Sequence, residues 1–181
     1  MTDFKTIGVI GAGQMGNGIA HVCAVAGYDV LLNDIDPKAI DEALATIEHN
    51  MGRQVHRSLI TEADAKKALA RSKKTPALKA FGAADIAIES VVENEETKRE
   101  IFAALRPVLR PDAILASNTS SISITRLAAT TDRPEKFIGL HFMNPVPVMK
   151  LVELIRGLAT SQETYQITLN FVQSLGKTIA N

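Results

Sequence analysis

The chain has 181 residues, of which 46% are hydrophobic, and its 20 basic residues balance its 20 acidic residues. This length suits one domain with a sizeable core, and the neutral balance gives no electrostatic footprint for nucleic acid or an anionic membrane. The single cysteine, Cys23, excludes an intrachain disulfide framework and suits a reducing compartment. No segment is long and apolar enough to span a bilayer. We therefore expect a protein of the cytoplasm or of an organelle matrix, with no membrane, nucleic-acid or metal partner.

Short apolar runs alternate with amphipathic stretches along the chain. In chain order, the pattern predicts a strand at 5–10, a helix that follows Gly16 to about 26, a strand at 29–33, helices at 37–59 and 61–71, a strand at 85–92, a helix at 95–109, strands at 113–117, 137–142 and 149–155, and a helix at 162–175. Gly27 and Gly176 stand where a glycine commonly ends a helix.

Two helix starts carry strong local signals. Asp36 precedes Pro37, which places an N-cap residue before a proline at the first helical position. Thr61 and Asp64 have the spacing of a variant capping box. The helices that they open form a predicted helical hairpin over about 37–71, inserted after the second strand. Strands that alternate with helices predict a doubly wound, mostly parallel α/β sheet, the Rossmann arrangement, over residues 1–181.

A glycine-rich turn links the first strand to the first helix. Gly11, Gly13 and Gly16 form the pattern G-x-G-x-x-G, in which the glycines permit a tight turn, close approach of a pyrophosphate and close helix–strand packing. The phosphates then lie at the N-terminus of the following helix, and Gln14 and Met15 within the turn are also predicted to contact the cofactor.

Asp34 follows at the end of the second strand, where an acid accepts hydrogen bonds from the adenosine ribose. A turn without a ligand would not explain this acid. Because a carboxylate repels a 2′-phosphate and no arginine follows it directly, the pattern predicts NAD rather than NADP.

A histidine and a glutamate flank a proline-marked turn. If the chain reverses near Pro147, His141 and Glu153 come to lie opposite each other. In a strand, Glu153 shares its face with Leu151 and Ile155, and a carboxylate on an apolar face needs a partner. A carboxylate-oriented imidazole is a common general base, although an ordinary ion pair remains the alternative interpretation.

The glycine turn, Asp34, the loop SNTSSISI and the segment HFMNPVPVMKLVELI together resemble the 3-hydroxyacyl-CoA dehydrogenase family, in particular its 3-hydroxybutyryl-CoA dehydrogenases. The resemblance runs from about residue 5 to the end. It implies NAD-dependent, reversible oxidation of an L-3-hydroxyacyl-CoA to the 3-ketoacyl-CoA.

The resemblance also implies roles for four residues near the reacting atoms. His141 matches the general base, and Glu153 matches the carboxylate that orients it. Ser120 matches a hydroxyl that binds the substrate oxygen. Asn144 falls at a polar position near the nicotinamide.

Four further positions follow from the same resemblance. Glu93 and Lys98 match contacts to the cofactor, with a solvated helix residue as the alternative for Lys98. Asn50 and Arg57 fall where relatives contact CoA, as part of a basic hairpin for which a solvated face is the alternative. This hairpin also carries Lys66, Lys67, Lys73 and Lys74.

Family members continue into an all-helical domain that closes over the substrate and forms most of the dimer. We therefore expect this chain to be the N-terminal half, with that domain absent, and the complete protein to be a homodimer. Two alternatives stay open: an NAD-dependent dehydrogenase of another hydroxy acid, and a non-catalytic NAD-binding or structural relative. An intact set of His141, Glu153 and Ser120 argues against the second.

Overall fold

The computed structural model describes residues 4–180, so the expected end of the domain at Asn181 lies outside the described residues. The strands are β1 (Thr6–Ile10), β2 (Asp29–Asn33), β3 (Ser72–Lys74), β4 (Ile86–Glu89), β5 (Ile114–Ser117), β6 (Phe137–Phe142), β7 (Leu151–Arg156) and β8 (Thr178–Ala180). The α-helices are α1 (Gln14–Val25), α2 (Pro37–His56), α3 (Glu62–Arg71), α4 (Glu95–Leu105), α5 (Ile124–Ala128) and α6 (Gln162–Ser174). Short 3₁₀ helices cover Leu78–Ala83 and Pro134–Lys136.

The eight strands of the described residues join one sheet in the order β3-β2-β1-β4-β5-β6-β7-β8. The first six in this order run parallel, β7 is antiparallel to β6, and β8 is parallel to β7. After β1, the chain adds β2 and β3 on one side of that strand. It then crosses back and places β4 on the other side of β1. This reversal leaves a crevice at the carboxyl ends of β1 and β4, where such sheets bind ligands. The predicted doubly wound, mostly parallel sheet is confirmed.

Apolar side chains fill both faces of the sheet, in two clusters. One face carries Val9, Val30 and Ile88 beneath α1, α2 and α6, and the other carries Leu115 and Phe137 beneath α4 and α5. A parallel sheet covered on both faces explains why its strands read as continuous apolar runs. In the part of the chain that the structure describes, no helix is long and apolar enough to cross a membrane.

Local chemistry sets two helix starts and two helix ends as predicted. The Asp36 side chain accepts a hydrogen bond from the backbone N–H of Lys38, with Pro37 at N1. Thr61 and Asp64 form the reciprocal capping box. Gly27 and Gly176 both adopt positive φ after α1 and α6.

The predicted ends of two helices were wrong, each by about one turn. Helix α2 stops at His56 rather than at 59, because Ser58 turns the chain with a φ of 56°. Helix α4 stops at Leu105 rather than at 109, because Pro107 lacks the backbone N–H that the next helical hydrogen bond needs.

Two strand predictions also need correction. Strand β4 ends at Glu89 rather than at 92, since the Val91 N–H turns back to the Glu89 carboxylate. Strand β7 covers Leu151–Arg156 rather than 149–155, because Met149 donates to Pro145 within the preceding turn. The pattern gave no sign of β3, β8, α5 or the 3₁₀ helices, which are too short for a period to emerge.

Candidate active site

A cavity of about 990 Å³ opens at the crevice between the carboxyl ends of β1 and β4. It gathers residues from the glycine turn, the end of β2, the loops after β4 and β5, and the end of β6. The predicted site residues that line it are Gly11, Gly13, Gln14, Met15, Asp34, Glu93, Ser120, His141 and Asn144. Segments separated by more than 100 positions in the sequence thus contribute to one site.

Glycine is needed at each of the three positions of the first turn for a different reason. Gly11 has a φ of +96°, and a Cβ there would lie 2.4 Å from the Ser90 carbonyl oxygen. A Cβ on Gly16 would lie 1.7 Å from the Gly11 carbonyl oxygen. Gly13 faces open space, with nothing within 4 Å of a Cβ. Gly11 and Gly16 therefore shape the turn, whereas Gly13 leaves room for a ligand.

The N-terminus of α1 offers unpaired donors beside that space. Gly13 is the N-cap, no side chain caps the helix, and its first turn contains no acid. The first backbone N–H groups and the helix dipole therefore favour an anion at this position. Together with the space at Gly13, this donor set fits the pyrophosphate of NAD.

Asp34 connects the end of β2 to the glycine turn. Its Oδ2 accepts a hydrogen bond from the Ala12 N–H at 2.8 Å, and its Oδ1 accepts one from the Asp36 N–H at 3.0 Å. The carboxylate also lines the cavity. It is placed to hold the turn and to accept hydrogen bonds from a ribose.

His141 and Glu153 face each other across the β6–β7 ladder. They are direct register partners, and Nδ1 of His141 lies 2.7 Å from Oε2 of Glu153. Because a carboxylate accepts hydrogen bonds, this contact favours the tautomer of the neutral imidazole in which Nδ1 carries the proton and Nε2 has the free lone pair. His141 lines the cavity, whereas Glu153 does not. Nε2 of His141 can therefore accept a proton from a molecule bound in the cavity.

Glu153 shares its strand face with Leu151 and Ile155, as predicted, but this face is only partly buried. The buried face of β7 carries Val152 and Leu154, and the face with Glu153 also carries the exposed Leu151. The Glu153 side chain is 43% exposed and that of His141 is 22% exposed. The pair forms because antiparallel pairing places the two residues opposite each other, and not because burial forces the carboxylate to find a partner.

The turn between β6 and β7 brings Asn144 to the cavity and packs on helix α1. Asn144 precedes Pro145 through a cis peptide bond, and its side chain is exposed at the cavity wall. A Cβ on Gly18 would lie 2.8 Å from Cβ of Val146. The sequence analysis missed Gly18, whose lack of a side chain lets α1 approach this turn.

The carboxylate of Glu93 binds two residues of the loop after β5. Oε1 of Glu93 accepts a hydrogen bond from the Thr119 hydroxyl at 2.7 Å, and Oε2 accepts from the Ser120 N–H at 2.9 Å and its hydroxyl at 3.1 Å. Partial burial by itself raises the pKa of Glu93. The hydrogen bonds from Ser120 and Thr119 and the charge of Lys98 outweigh this effect and lower that pKa below its usual value. Glu93 therefore anchors the loop at 118–121, which we call the serine loop.

Asn118 also holds the serine loop in place, and the sequence analysis did not assign it a role. Its Oδ1 accepts a hydrogen bond from the Phe142 N–H at 2.9 Å, and its Nδ2 donates to the Ser90 hydroxyl at 3.3 Å. It lines the cavity and joins the ends of β4, β5 and β6. The serine loop and the strand that carries His141 are thereby linked.

Lys98 is neither solvated nor part of the cavity wall. Its side chain is 0% exposed and Nζ donates to Oε1 of Glu89 at 2.7 Å, so the solvated alternative was wrong. Nζ also lies 3.7 Å from Oε1 of Glu93. Glu89, which is itself 0% exposed, was missed. A carboxylate within the apolar run DIAIESVV was the available signal.

The helical hairpin reaches the cavity at its start, where Pro37 of α2 lines the wall. Asn50 is half-buried and Arg57 is exposed, and neither lines the cavity. Lys74, one of the basic residues expected to meet CoA, pairs with Asp41 at 2.6 Å. Among residues 4–180, no cluster of three histidine, cysteine or acidic side chains has the geometry to hold a metal ion.

A family model described as the NAD-binding domain of 3-hydroxyacyl-CoA dehydrogenases matches residues 6–180. The chain belongs to this family. The match confirms the predicted resemblance and the predicted NAD-binding class of the domain.

Individual relatives agree with the family match. The 3-hydroxybutyryl-CoA dehydrogenase of Bradyrhizobium diazoefficiens is 57% identical over 176 residues, which cover 97% of this chain and 60% of that protein. The 3-hydroxyadipyl-CoA dehydrogenase of Escherichia coli is 42% identical over 98% of this chain and 37% of its own length. A crystal structure of (S)-3-hydroxybutyryl-CoA dehydrogenase from Ralstonia eutropha superposes with a TM-score of 0.95 at 46% identity, covering 98% of this chain and 62% of that one. The chain therefore spans about three fifths of the two 3-hydroxybutyryl-CoA dehydrogenases.

Proposed function

We propose that this chain is the cofactor-binding part of an enzyme that oxidises L-3-hydroxyacyl-CoA reversibly to 3-ketoacyl-CoA with NAD. The observation that carries the proposal is the His141–Glu153 pair. Its Nδ1–Oε2 distance is 2.7 Å, and the imidazole lines the same cavity as the glycine turn. A proton acceptor and a dinucleotide site thus share one space.

The proposed chemistry assigns one task to each residue. Nε2 of His141 takes the hydroxyl proton, a carbon–oxygen double bond forms at C3, and the C3 hydrogen leaves with its electron pair. NAD, when bound, accepts that hydride. Glu153 keeps the imidazole in the required tautomer and stabilises its protonated form. The Ser120 hydroxyl, which donates to Glu93 in this structure, binds the substrate oxygen, and Asn144 lies beside the nicotinamide.

The acyl-CoA substrate is supported by relatives whose names specify different acyl groups, 3-hydroxybutyryl and 3-hydroxyadipyl. Contact of CoA with Asn50 and Arg57 belongs to the same proposal and is supported by the exposed basic character of the hairpin. A homodimer and a cytoplasmic location are proposed for the complete protein. We further propose that it carries a C-terminal helical domain which closes over the substrate.

The proposal is tested by acetoacetyl-CoA-dependent oxidation of NADH, with the chain alone and with a C-terminal helical domain of a family member supplied. Replacement His141→Gln removes the base and keeps a polar side chain, so kcat falls about 10²- to 10⁴-fold. The matched control His49→Gln changes an exposed helix residue and keeps full activity.

Activity that survives His141→Gln would contradict the assignment of the base. Activity on short hydroxy acids without CoA, with none on acetoacetyl-CoA, would favour the other dehydrogenase class. Binding of NAD with no turnover in any combination would favour a non-catalytic relative.

A further inference from the structure

A buried charged cluster joins the ends of β4 and β5 to the start of α4. Glu89 is the last residue of β4, and Lys98 lies in the first turns of α4. Both side chains are 0% exposed, and Nζ of Lys98 lies 2.7 Å from Glu89 and 3.7 Å from Glu93. One ammonium group is therefore shared between two carboxylates, of which only Glu93 lines the cavity.

The two carboxylates hold opposite ends of the loop that carries Ser120. Oε2 of Glu89 accepts a hydrogen bond from the Ser117 hydroxyl at 2.6 Å. Glu93 accepts bonds from Thr119 and from Ser120, as described above. The segment 117–120 is thus fixed at its start by one carboxylate and at its end by the other, with Lys98 between them.

Net stability is a weak explanation for such a cluster. Desolvation of two buried charges largely offsets their attraction, and well-packed apolar side chains of similar volume often serve folding equally well. A fully hydrogen-bonded network does, however, restrict the positions of its members. The Glu89 carboxylate accepts three bonds, from Lys98, Ser117 and the Val91 N–H. The hydrogen-bonded network around Glu89 is therefore suited to hold its side chains in fixed positions.

We propose that Glu89 is a positioning residue of the active site. Through Lys98 and Ser117 it fixes Glu93 and the segment 117–120, and thereby places the Ser120 hydroxyl beside the cavity that His141 lines. This inference rests on the proposed role of Ser120 in substrate binding. Without the charge of Glu89, Lys98 loses its nearest charged partner and the Ser117 hydroxyl loses the carboxylate that accepts its hydrogen bond.

Amide hydrogen exchange tests the placement without any need for turnover. In Glu89→Gln, we expect the Ser120 amide, which donates to Glu93, to exchange about 10-fold faster. Amides of β1 and β2 are expected to keep their protection. The double variant Glu89→Gln/Lys98→Met leaves no buried charge unpaired and is expected to show a Ser120 effect no larger than the single variant. Glu96→Gln, an exposed acid in the first turn of α4, is the matched control.

Kinetics with acetoacetyl-CoA and NADH supply the second measurement. Glu89→Gln is expected to lower kcat about 10-fold by misplacing the hydroxyl. In a Ser120→Ala background the same substitution is expected to have no further effect, because its influence passes through that hydroxyl. A purely structural role would reduce activity in both backgrounds.

The following results would decide whether Glu89 positions the serine loop. Unchanged exchange at Ser120 in both variants, or an equal rise across β1 and β2, overturns it. So does a loss of kcat that multiplies with that of Ser120→Ala. If the wild-type chain shows no turnover even with a supplied C-terminal domain, the proposed function fails, and the exchange measurement alone still accepts or rejects the placement role of Glu89.

Discussion

At the residue scale, Asp34 combines two tasks in one carboxylate. Its two oxygens accept the Ala12 and Asp36 N–H groups, which holds the glycine turn against the end of β2. The same side chain lines the cavity where a ribose would bind. We therefore propose that the group that holds the turn also discriminates between NAD and NADP.

Replacement Asp34→Asn separates charge from shape, because the amide oxygen can still accept one of the two N–H groups. We expect the Kd for NAD to rise about 10-fold, as a hydrogen bond to a charged group is lost. The Kd for NADP is expected to fall, because the repulsion of its 2′-phosphate is removed. Isothermal titration calorimetry with both nucleotides measures this change.

The control is Asp36→Asn, which changes a neighbouring acid that caps α2 and does not line the cavity. Equal loss of NAD affinity in both variants would mean that Asp34 acts only on the stability of the turn.

Two glutamates show what residue-level reasoning can and cannot find. The partner of Glu153 could be predicted, because a proline-marked turn places His141 opposite it. The partners of Glu89 could not, since Lys98 and Ser117 reach it from a helix and from a neighbouring strand. Its presence in an apolar strand was a usable sign that a buried partner exists.

At the scale of elements, different glycines of the turn between β1 and α1 serve folding and ligand binding. A Cβ on Gly16 collides with the Gly11 carbonyl oxygen, whereas a Cβ on Gly13 meets nothing within 4 Å. One glycine therefore serves the packing of the turn, and the other keeps space for the cofactor.

The two alanine variants form a matched pair. Gly13→Ala is expected to keep the melting temperature and to weaken NAD binding about 10-fold or more, because the methyl group occupies the approach of the pyrophosphate. Gly16→Ala is expected to destabilise the fold by about 3 kcal/mol, at the upper end of the usual effect of overpacking. Thermal unfolding and NAD titration of both variants measure these effects. A Gly13→Ala variant that binds NAD normally would contradict the proposed phosphate position.

Element boundaries were predictable where local chemistry decides them. The capping box at Thr61 and the Asp36–Pro37 start depend on neighbouring residues only. Pro107 also carried a local signal for the end of α4, and this signal was overlooked. The end of β4 depends instead on a side chain that captures a backbone N–H after the strand, which periodicity does not reveal.

At the scale of the whole molecule, α1 packs between the sheet and the helical hairpin, and His21 lies in this interface. His21 is 1% exposed and Nε2 lies 2.9 Å from Oε1 of Gln54 on α2, while Nδ1 has no hydrogen-bond partner. Burial lowers the pKa of His21 below its ordinary value of 6.5. The nearby charge of Lys177 also lowers this pKa, and the Gln54 hydrogen bond opposes the shift.

The stability of the fold should therefore depend on pH. Because the folded-state pKa lies below the unfolded value, the unfolded chain binds more protons near pH 6.5, and the free energy of unfolding falls as the pH drops through that value. Urea unfolding at pH 8 and pH 5.5 is expected to show a smaller loss for His21→Leu than for the wild type. His49→Leu, a change at an exposed site on α2, should match the wild type. Equal losses in all three proteins would assign the pH dependence to other groups.

The sequence alone determined the fold class, the cofactor turn with Asp34, and the pairing of His141 with Glu153. Each of these follows from short-range chemistry: the period of apolar residues, the backbone freedom of glycine and the reversal of the chain at a proline-marked turn. Only the tertiary structure showed that Glu89, Lys98 and Asn118 bind the ends of three strands together around the serine loop. These contacts join segments that are distant along the chain, and the positions of those segments are set by sheet order and side-chain packing.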